Sequence, residues 1–381
     1  MMRWKRFISA LLPLAVLCGC QIDPPLHLRR YAQTSVDLKI EFNVDMLWQI
    51  DWKAQWDFTW NEDALGALGY VEPSGIRMHT YALGPDGERR SHMVNNFHGT
   101  EGRVQLVAGV HDMLFHNNGS EVLLFRADEE FADQHCYTRV IANGLQDSHP
   151  VQTLQQKAAG NTKTDDEWNV TESVAFQPDE LYRMYDPAYL ISDDLNDYEY
   201  IDGHYVLRIE GSLDPGTYIY LIQVRLRNND GRVVGSMGGA ALTGVAEGVD
   251  LMTGVTHTET VSVPFDVHIN READPDLLGA RVLTFGIPGC NPYDEASVAA
   301  APDGRHYLVL NITFYSGRYK NIRVDITDKV RELPTGGVIT LELDVNDFPP
   351  GPDDPDDPVG GGFEALISDW DEEVGSTTII N

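Results

Sequence analysis

Basic residues are scarce in this chain, which has 28 Lys and Arg against 59 Asp and Glu and a formal net charge of −31. A polyanion of this kind repels phosphate groups, so we expect no nucleic acid as a partner. It also repels anionic headgroups, so basic surface charge cannot hold the chain to a membrane. Any attachment to a membrane must therefore come from a lipid or an apolar segment.

Familiar catalytic and cofactor motifs are absent as well. The sequence has no Gly-x-x-x-x-Gly-Lys phosphate loop, no His-Glu-x-x-His zinc helix and no Gly-x-Ser-x-Gly nucleophile elbow. The closest histidine pairs, His92/His98 and His111/His116, lack helical ligand spacing, and on a strand His111 and His116 point to opposite faces. These absences predict a protein that is not an enzyme and has no cofactor and no metal site.

Cysteine is rare, with four residues in the chain, and one of them is informative by position. Basic residues near the start precede an apolar run over residues 7–17, which is shorter than the roughly 20 residues of a membrane span. The run ends in Leu17-Cys18-Gly19-Cys20, which resembles a bacterial lipoprotein signal. We therefore predict a signal peptide over 1–19, acylation of Cys20, for example by palmitate, and an extended tether over 20–35.

Two cysteines remain in the predicted mature chain, Cys136 and Cys290. An exported chain could oxidise them to one disulfide. A single pair carries no spacing information, so two separately buried thiols are the favoured alternative.

Helical periodicity is almost absent, and strand periodicity takes its place. Apolar residues occupy the even positions from Val36 to Trp60, a run too long for one strand, so we predict two strands separated near residues 45–49. Later alternating segments are bounded by Gly, Pro and Asp turns. The sequence predicts an all-β protein of two tandem antiparallel, Greek-key β-sandwiches, over residues 36–200 and 201–381.

The sequence of the C-terminal region predicts an extended linker followed by a strand. Residues 349–359 are rich in Pro and Asp, which keep a chain extended, and residues 363–380 regain strand-forming side chains. This strand either closes its own sandwich or pairs with the edge of another molecule.

Four indoles recur at intervals of four residues, at Trp48, Trp52, Trp56 and Trp60. They continue the apolar face of the first strands, so burial in the core is the favoured interpretation. An exposed aromatic platform for glycans is the alternative.

Several segments together resemble the fimbrillin-like lipoproteins of Bacteroidales, in the branch related to fimbrial anchor and accessory subunits. The segments are the lipoprotein signal at Cys20, the Trp-rich first strands, Gly109–Asn117, Phe176–Asp179, Val324–Val330 and Phe363–Trp370. The resemblance implies paired transthyretin-like sandwiches and a surface protein without catalysis. It also implies proteolytic trimming behind a basic residue in shaft subunits, for which Arg29-Arg30 is the candidate position.

We therefore expect a lipid-anchored protein of the outer membrane or cell surface. Its expected partners are the membrane, through the lipid, and other fimbrial or surface subunits, joined by β-strand addition. The alternative function is a surface glycan-binding lipoprotein.

Overall fold

A computed structural model of the chain describes residues 34–41, 54–56, 60–127, 134–141, 172–201, 204–236, 239–317, 319–347 and 377–380. Strands are the main secondary structure of these residues, and they form five sheets. The all-β class that the sequence predicts is confirmed.

The first two sheets lie face to face. From edge to edge, sheet I consists of β10 (Glu199–Ile201), β11 (His204–Ser212), β1 (Thr34–Glu41) and β4 (Glu101–Leu106). Sheet II consists of β12 (Asp214–Pro215), β9 (Tyr182–Ile191), β5 (Gly109–Asn117), β2 (Gly75–Leu83) and β3 (Arg89–His98). Their facing sides share one apolar core, in which Met78, Met113 and Phe115 of sheet II pack with Val104 and Ile209 of sheet I.

Two further sheets form a second face-to-face pair. Sheet IV consists of β18 (His268–Asn270), β19 (Leu277–Thr284), β13 (Tyr218–Arg227) and β22 (Gly337–Asp344). Sheet V consists of β23 (Thr377–Ile380), β21 (Tyr319–Asp325), β20 (Tyr307–Phe314), β15 (Ala240–Ala246), β17 (Thr260–Phe265) and β8 (Ser173–Val174), and β14 (Val233–Gly235) also pairs with β20. Because successive side chains of a strand point to opposite faces, Tyr220, Ile222 and Val224 of β13 all point into the core. There they pack with Leu308 and Leu310 of β20.

A small sheet III joins strands from distant parts of the sequence. It consists of β16 (Gly248–Asp250), β7 (Gln134–Thr138) and β6 (Leu123–Ala127). Its residues Leu123, Cys136 and Val249 cover Tyr81 and Leu114 on the outer face of sheet II. Since β16 lies between β15 and β17 in the sequence, sheet III connects the sheet I/II pair with sheet V.

Helices among the described residues are short. They are α1 (Glu62–Leu65), α2 (Glu295–Ala299) and α3 (Thr327–Glu332), with 3₁₀ turns at Leu195–Asp197 and Val345–Asp347. None of these helices has the length and apolar character to span a membrane.

The even-position apolar run begins as predicted and then departs from the prediction. Its first segment is a strand, β1, which pairs with β11 in parallel and with β4 in antiparallel register. Residues 54–55 are helical, however, and Asn61 caps α1 by accepting a hydrogen bond from the Ala64 amide. The predicted second strand is therefore wrong in its described part. A spacing of four fits one face of a strand and one turn of a helix equally, so the Trp spacing could not separate them.

The predicted division at residues 200 and 201 stays a prediction. Strands that follow this position, β11 and β12, pair with strands that precede it, β1 and β9. β8, which precedes it, pairs in parallel with β17 of sheet V.

Candidate functional site

The candidate site is the edge of sheet V at which the chain ends. β23 pairs in parallel with β21 over four residues, from Asn321 opposite Thr377 to Val324 opposite Ile380. Of the strand predicted over 363–380, the described part is therefore a strand on the chain's own sheet. Residues 363–376 and the linker over 349–359 lie outside the described residues.

β21 itself is firmly held. Its residues Ile322 and Val324 are buried in the core between sheets IV and V, and the guanidinium of Arg323 lies 3.4 Å from the centre of the Tyr307 ring. On its other side β21 pairs with β20 over seven residues. A strand fixed in this way presents an ordered row of main-chain donors and acceptors to whatever lies at its edge.

A second edge lies at β3 of sheet II. This strand runs for ten residues, most of them exposed, including Met93 and Val94. Its pairing with β2 is irregular between Ala82 and Leu83, and Arg89 and Arg90 stand at its start. Irregular register and charged side chains are features that discourage pairing at an edge, so β3 is the poorer candidate.

The predicted lipidation site, Cys20, and the tether over 20–35 lie outside the described residues, apart from the start of β1. Cys136 and Cys290 are both buried free thiols. Burial raises the pKa of each thiol, which keeps it protonated and unreactive at neutral pH.

Trp56 and Trp60 differ in exposure. Trp56 is 7 % exposed and packs with Ile219, Leu221 and Leu283 on the outer face of sheet IV. Trp60 is half-buried, lies 5.2 Å from Trp56 in an edge-on arrangement, and donates from Nε1 to the Gly66 carbonyl at 2.9 Å. Trp48 and Trp52 lie outside the described residues, and the aromatic glycan platform stays a prediction.

Sequence reasoning missed a stack of three imidazoles between sheets II and III, formed by His79, His92 and His116. His79 Nδ1 lies 2.9 Å from His92 Nε2, and His79 Nε2 lies 3.1 Å from His116 Nε2. The rings stack with centroid separations of 5.1 and 5.2 Å. His111 does not belong to this stack, and its Nε2 lies 2.9 Å from the Val107 carbonyl oxygen. The three partners come from β2, β3 and β5, and only the strand register brings them together.

The hydrogen bonds of this stack define its protonation. The Asn117 carbonyl can only accept, so His116 Nδ1 donates to it at 2.7 Å, and His116 Nε2 accepts from His79. In the neutral form of the stack, His79 Nδ1 then accepts from His92 Nε2. Burial lowers the pKa of His79 to about 3 and that of His116 to about 4. The stack is therefore an acid-sensitive element of the fold.

Comparison with known proteins places this chain beside one family and a set of solved structures. The family model described as a domain of unknown function, DUF5119, matches residues 52–266. No curated protein matches the chain.

The fold is similar to three solved structures among others. A candidate adhesin from Bacteroides ovatus is 16% identical with a TM-score of 0.46, over 86% of this chain and 97% of that one. A candidate adhesin from Bacteroides thetaiotaomicron is 8% identical with a TM-score of 0.42, over 82% and 92%. The fimbrial anchor protein Mfa2 from Porphyromonas gingivalis is 12% identical with a TM-score of 0.41, over 82% and 90%. These proteins come from the group that the sequence resembles, but likenesses at this level leave the function to be argued from the chain's own geometry.

Proposed function

The chain belongs to the DUF5119 family, whose description names no function, and we propose that it is a lipid-anchored cell-surface protein that joins a fimbrial or other surface subunit by β-strand addition. The observation that supports this proposal is the pairing of the terminal strand β23 with β21 at the edge of sheet V. Main-chain hydrogen bonding, rather than side-chain chemistry, is the proposed means of association.

The β23 pairing is small enough to be exchanged. A four-residue pair makes only a few main-chain hydrogen bonds, each contributing about 1 kcal/mol. Ordering the same residues costs about 1–2 kcal/mol per residue. A longer strand from a partner could therefore replace β23 along the seven residues of β21.

The chain before β23 is long enough for the strand to be donated as well as replaced. Residues 348–376 separate β23 from the last described residue of the preceding segment. A chain of this length spans at most roughly 95 Å at about 3.3 Å per residue. β23 can therefore reach the edge of a neighbouring molecule, and β21 can receive a strand in exchange.

The position of β1 bears on the choice between an anchor and a polymerising subunit. β1 begins at Thr34 and is paired on both sides within sheet I. Cleavage behind Arg30 would leave β1 whole and open no groove in this sheet. This supports an anchor or accessory role, in which exchange occurs at the C-terminal edge.

A strand supplied as a free peptide tests the proposed edge. We expect a chain that lacks residues 363–381 to bind a peptide of residues 363–381 in a one-to-one complex, whereas the intact chain binds it far more weakly because β23 occupies the edge. Isothermal titration measures both affinities.

Main-chain variants of the peptide provide the matched controls. Thr378→Pro with Ile379→Pro removes two backbone donors and should abolish binding, while Ile379→Val keeps both donors and should bind normally. Equal binding of the proline and valine peptides would contradict strand addition. Co-purification of the intact and shortened chains with a fimbrial subunit then tests assembly itself.

The lipid anchor is tested separately. We expect Cys20→Ser to abolish incorporation of a labelled palmitate analogue and to release the protein from the membrane fraction. Protease shaving of intact cells then shows whether the protein faces the exterior. Unchanged labelling of Cys20→Ser would contradict acylation at this residue.

A further inference from the structure

A group of ionisable side chains lies where sheet III meets sheet V, away from the edge at β21. Glu247 links β15 to β16, and Glu259 directly precedes β17. The Glu247 amide donates to the Glu259 carbonyl at 3.0 Å, and the His257 amide donates to the Gly248 carbonyl at 2.9 Å. Backbone pairing therefore holds Glu247, His257 and Glu259 side by side.

Their donor atoms converge. One carboxylate oxygen from each glutamate and one ring nitrogen of His257 all lie within 4.8 Å of one another. Ligands of a tetrahedral ion with bonds of about 2.0–2.2 Å stand about 3.3–3.6 Å apart. Glu259 is exposed and its Oε2 accepts a hydrogen bond from Thr258 Oγ1 at 3.3 Å, so reaching that separation requires a rotation of this side chain.

A second histidine stands beside the three donors. His135 lies in β7 opposite Asp250 of β16, and its Nδ1 is 3.1 Å from Nε2 of His257. This separation suits two imidazoles on one ion, and it equally suits a hydrogen bond that orients a ligating ring. In either role His135 fixes the plane of His257.

The backbone leaves room for this imidazole only because residue 248 is a glycine. A Cβ at Gly248 would stand 3.0 Å from both Cε1 and Nδ1 of His257 and 2.4 Å from the Cys136 carbonyl oxygen. The His257 ring therefore lies against bare backbone.

Electrostatics favour a cation at this position. Two carboxylates face one nearby guanidinium, that of Arg126, which lies opposite His135 in the β6–β7 pair.

We propose that Glu247, His257 and Glu259, with His135 beside them, bind a divalent metal ion of the zinc class. Imidazole with carboxylate is a donor set suited to Zn²⁺, whereas Ca²⁺ requires six or more oxygens. Bound there, the ion would fasten sheet III to the β15–β17 connection, independently of strand addition at β21.

Titration of the metal-stripped full chain with ZnCl₂ tests this inference. We expect one Zn²⁺ per chain, with binding about 100-fold or more weaker in His257→Gln and in Glu259→Gln, and about 10–100-fold weaker in His135→Gln. Arg126→Gln should bind more tightly, since it removes the opposing charge.

His268→Gln, at an exposed position on β18, is the matched control and should bind as the parent chain does. Ca²⁺ at equal concentration should not compete. The absence of Zn²⁺ binding by the parent chain would overturn the inference. Binding that His257→Gln retains and His92→Gln loses would also overturn it, because the ion would then lie in the histidine stack.

Discussion

Acidification from pH 6.5 to pH 5 is expected to lower the free energy of unfolding by about 1.6 kcal/mol for each deeply buried neutral histidine. Three such residues, His79, His116 and His306, are each less than one-tenth exposed. Burial lowers the pKa of His306 to about 4, as it lowers the pKa of the other two. The combined loss is about 5 kcal/mol, a large part of the stability of a typical domain.

The direction follows from proton uptake. The unfolded chain protonates each histidine near pH 6.5, whereas the folded chain does so only near pH 3 to 4. Stability from this source is therefore complete above pH 6.5 and falls as the pH approaches the folded values.

Urea denaturation at several pH values between 7.5 and 5 measures this slope. His116→Gln should reduce the slope by about 1.4 kcal/mol per pH unit below pH 6.5, since one fewer proton is taken up on unfolding. His306→Gln should do the same from a separate site. His268→Gln, which alters an exposed ring on β18, is the matched control for the substitution itself. A slope in His116→Gln equal to that of the parent chain would contradict the buried neutral stack.

Replacing Trp56 by alanine is expected to lower the free energy of unfolding by about 3–5 kcal/mol. Its indole is 7 % exposed and packs on Ile219, Leu221 and Leu283, so truncation leaves a cavity on the outer face of sheet IV. The neighbouring Gln55 carbonyl accepts a hydrogen bond from Gln223 Nε2 at 2.8 Å, and this contact should loosen as well. The shift in urea midpoint measures the loss.

Trp60→Ala is the informative comparison, because that side chain is half-buried and lines a groove with His268 and Arg271. We expect a smaller loss of stability than in Trp56→Ala. A glycan array run on both variants and the parent chain tests the aromatic platform directly. Equal, small losses of stability in the two variants would contradict the core position of Trp56.

The alternation of apolar and polar residues made the strands of this chain predictable from sequence. In β13 and β20 nearly every residue is apolar on the inner face, and the turns between strands carry Gly, Pro and Asp, so local signals and final structure agree. The Trp series was ambiguous because a four-residue interval satisfies both a strand face and a helical turn. Capping by Asn61 and packing against sheet IV then favour the helical form.

The side-chain clusters could not be predicted in the same way. His79, His92 and His116 are far apart in sequence, and so are His135 and His257. They meet only because β2 lies between β3 and β5 and because β7 pairs with β16. Strand register is set by long-range pairing, which a local pattern does not contain. The terminal strand was predictable as a strand, but its parallel pairing with β21 was not.

Amide hydrogen exchange in β21 tests the central claim most directly. Successive amide groups of β21 point in turn towards β20 and towards the edge of the sheet. In the intact chain, we predict protection of both sets across Asn321–Val324. In the chain lacking residues 363–381, the edge-facing amides should exchange faster and the β20-facing amides should stay protected. Adding the peptide of residues 363–381 should restore the protection. Edge-facing amides that exchange at the same rate in all three samples would contradict strand addition at this edge.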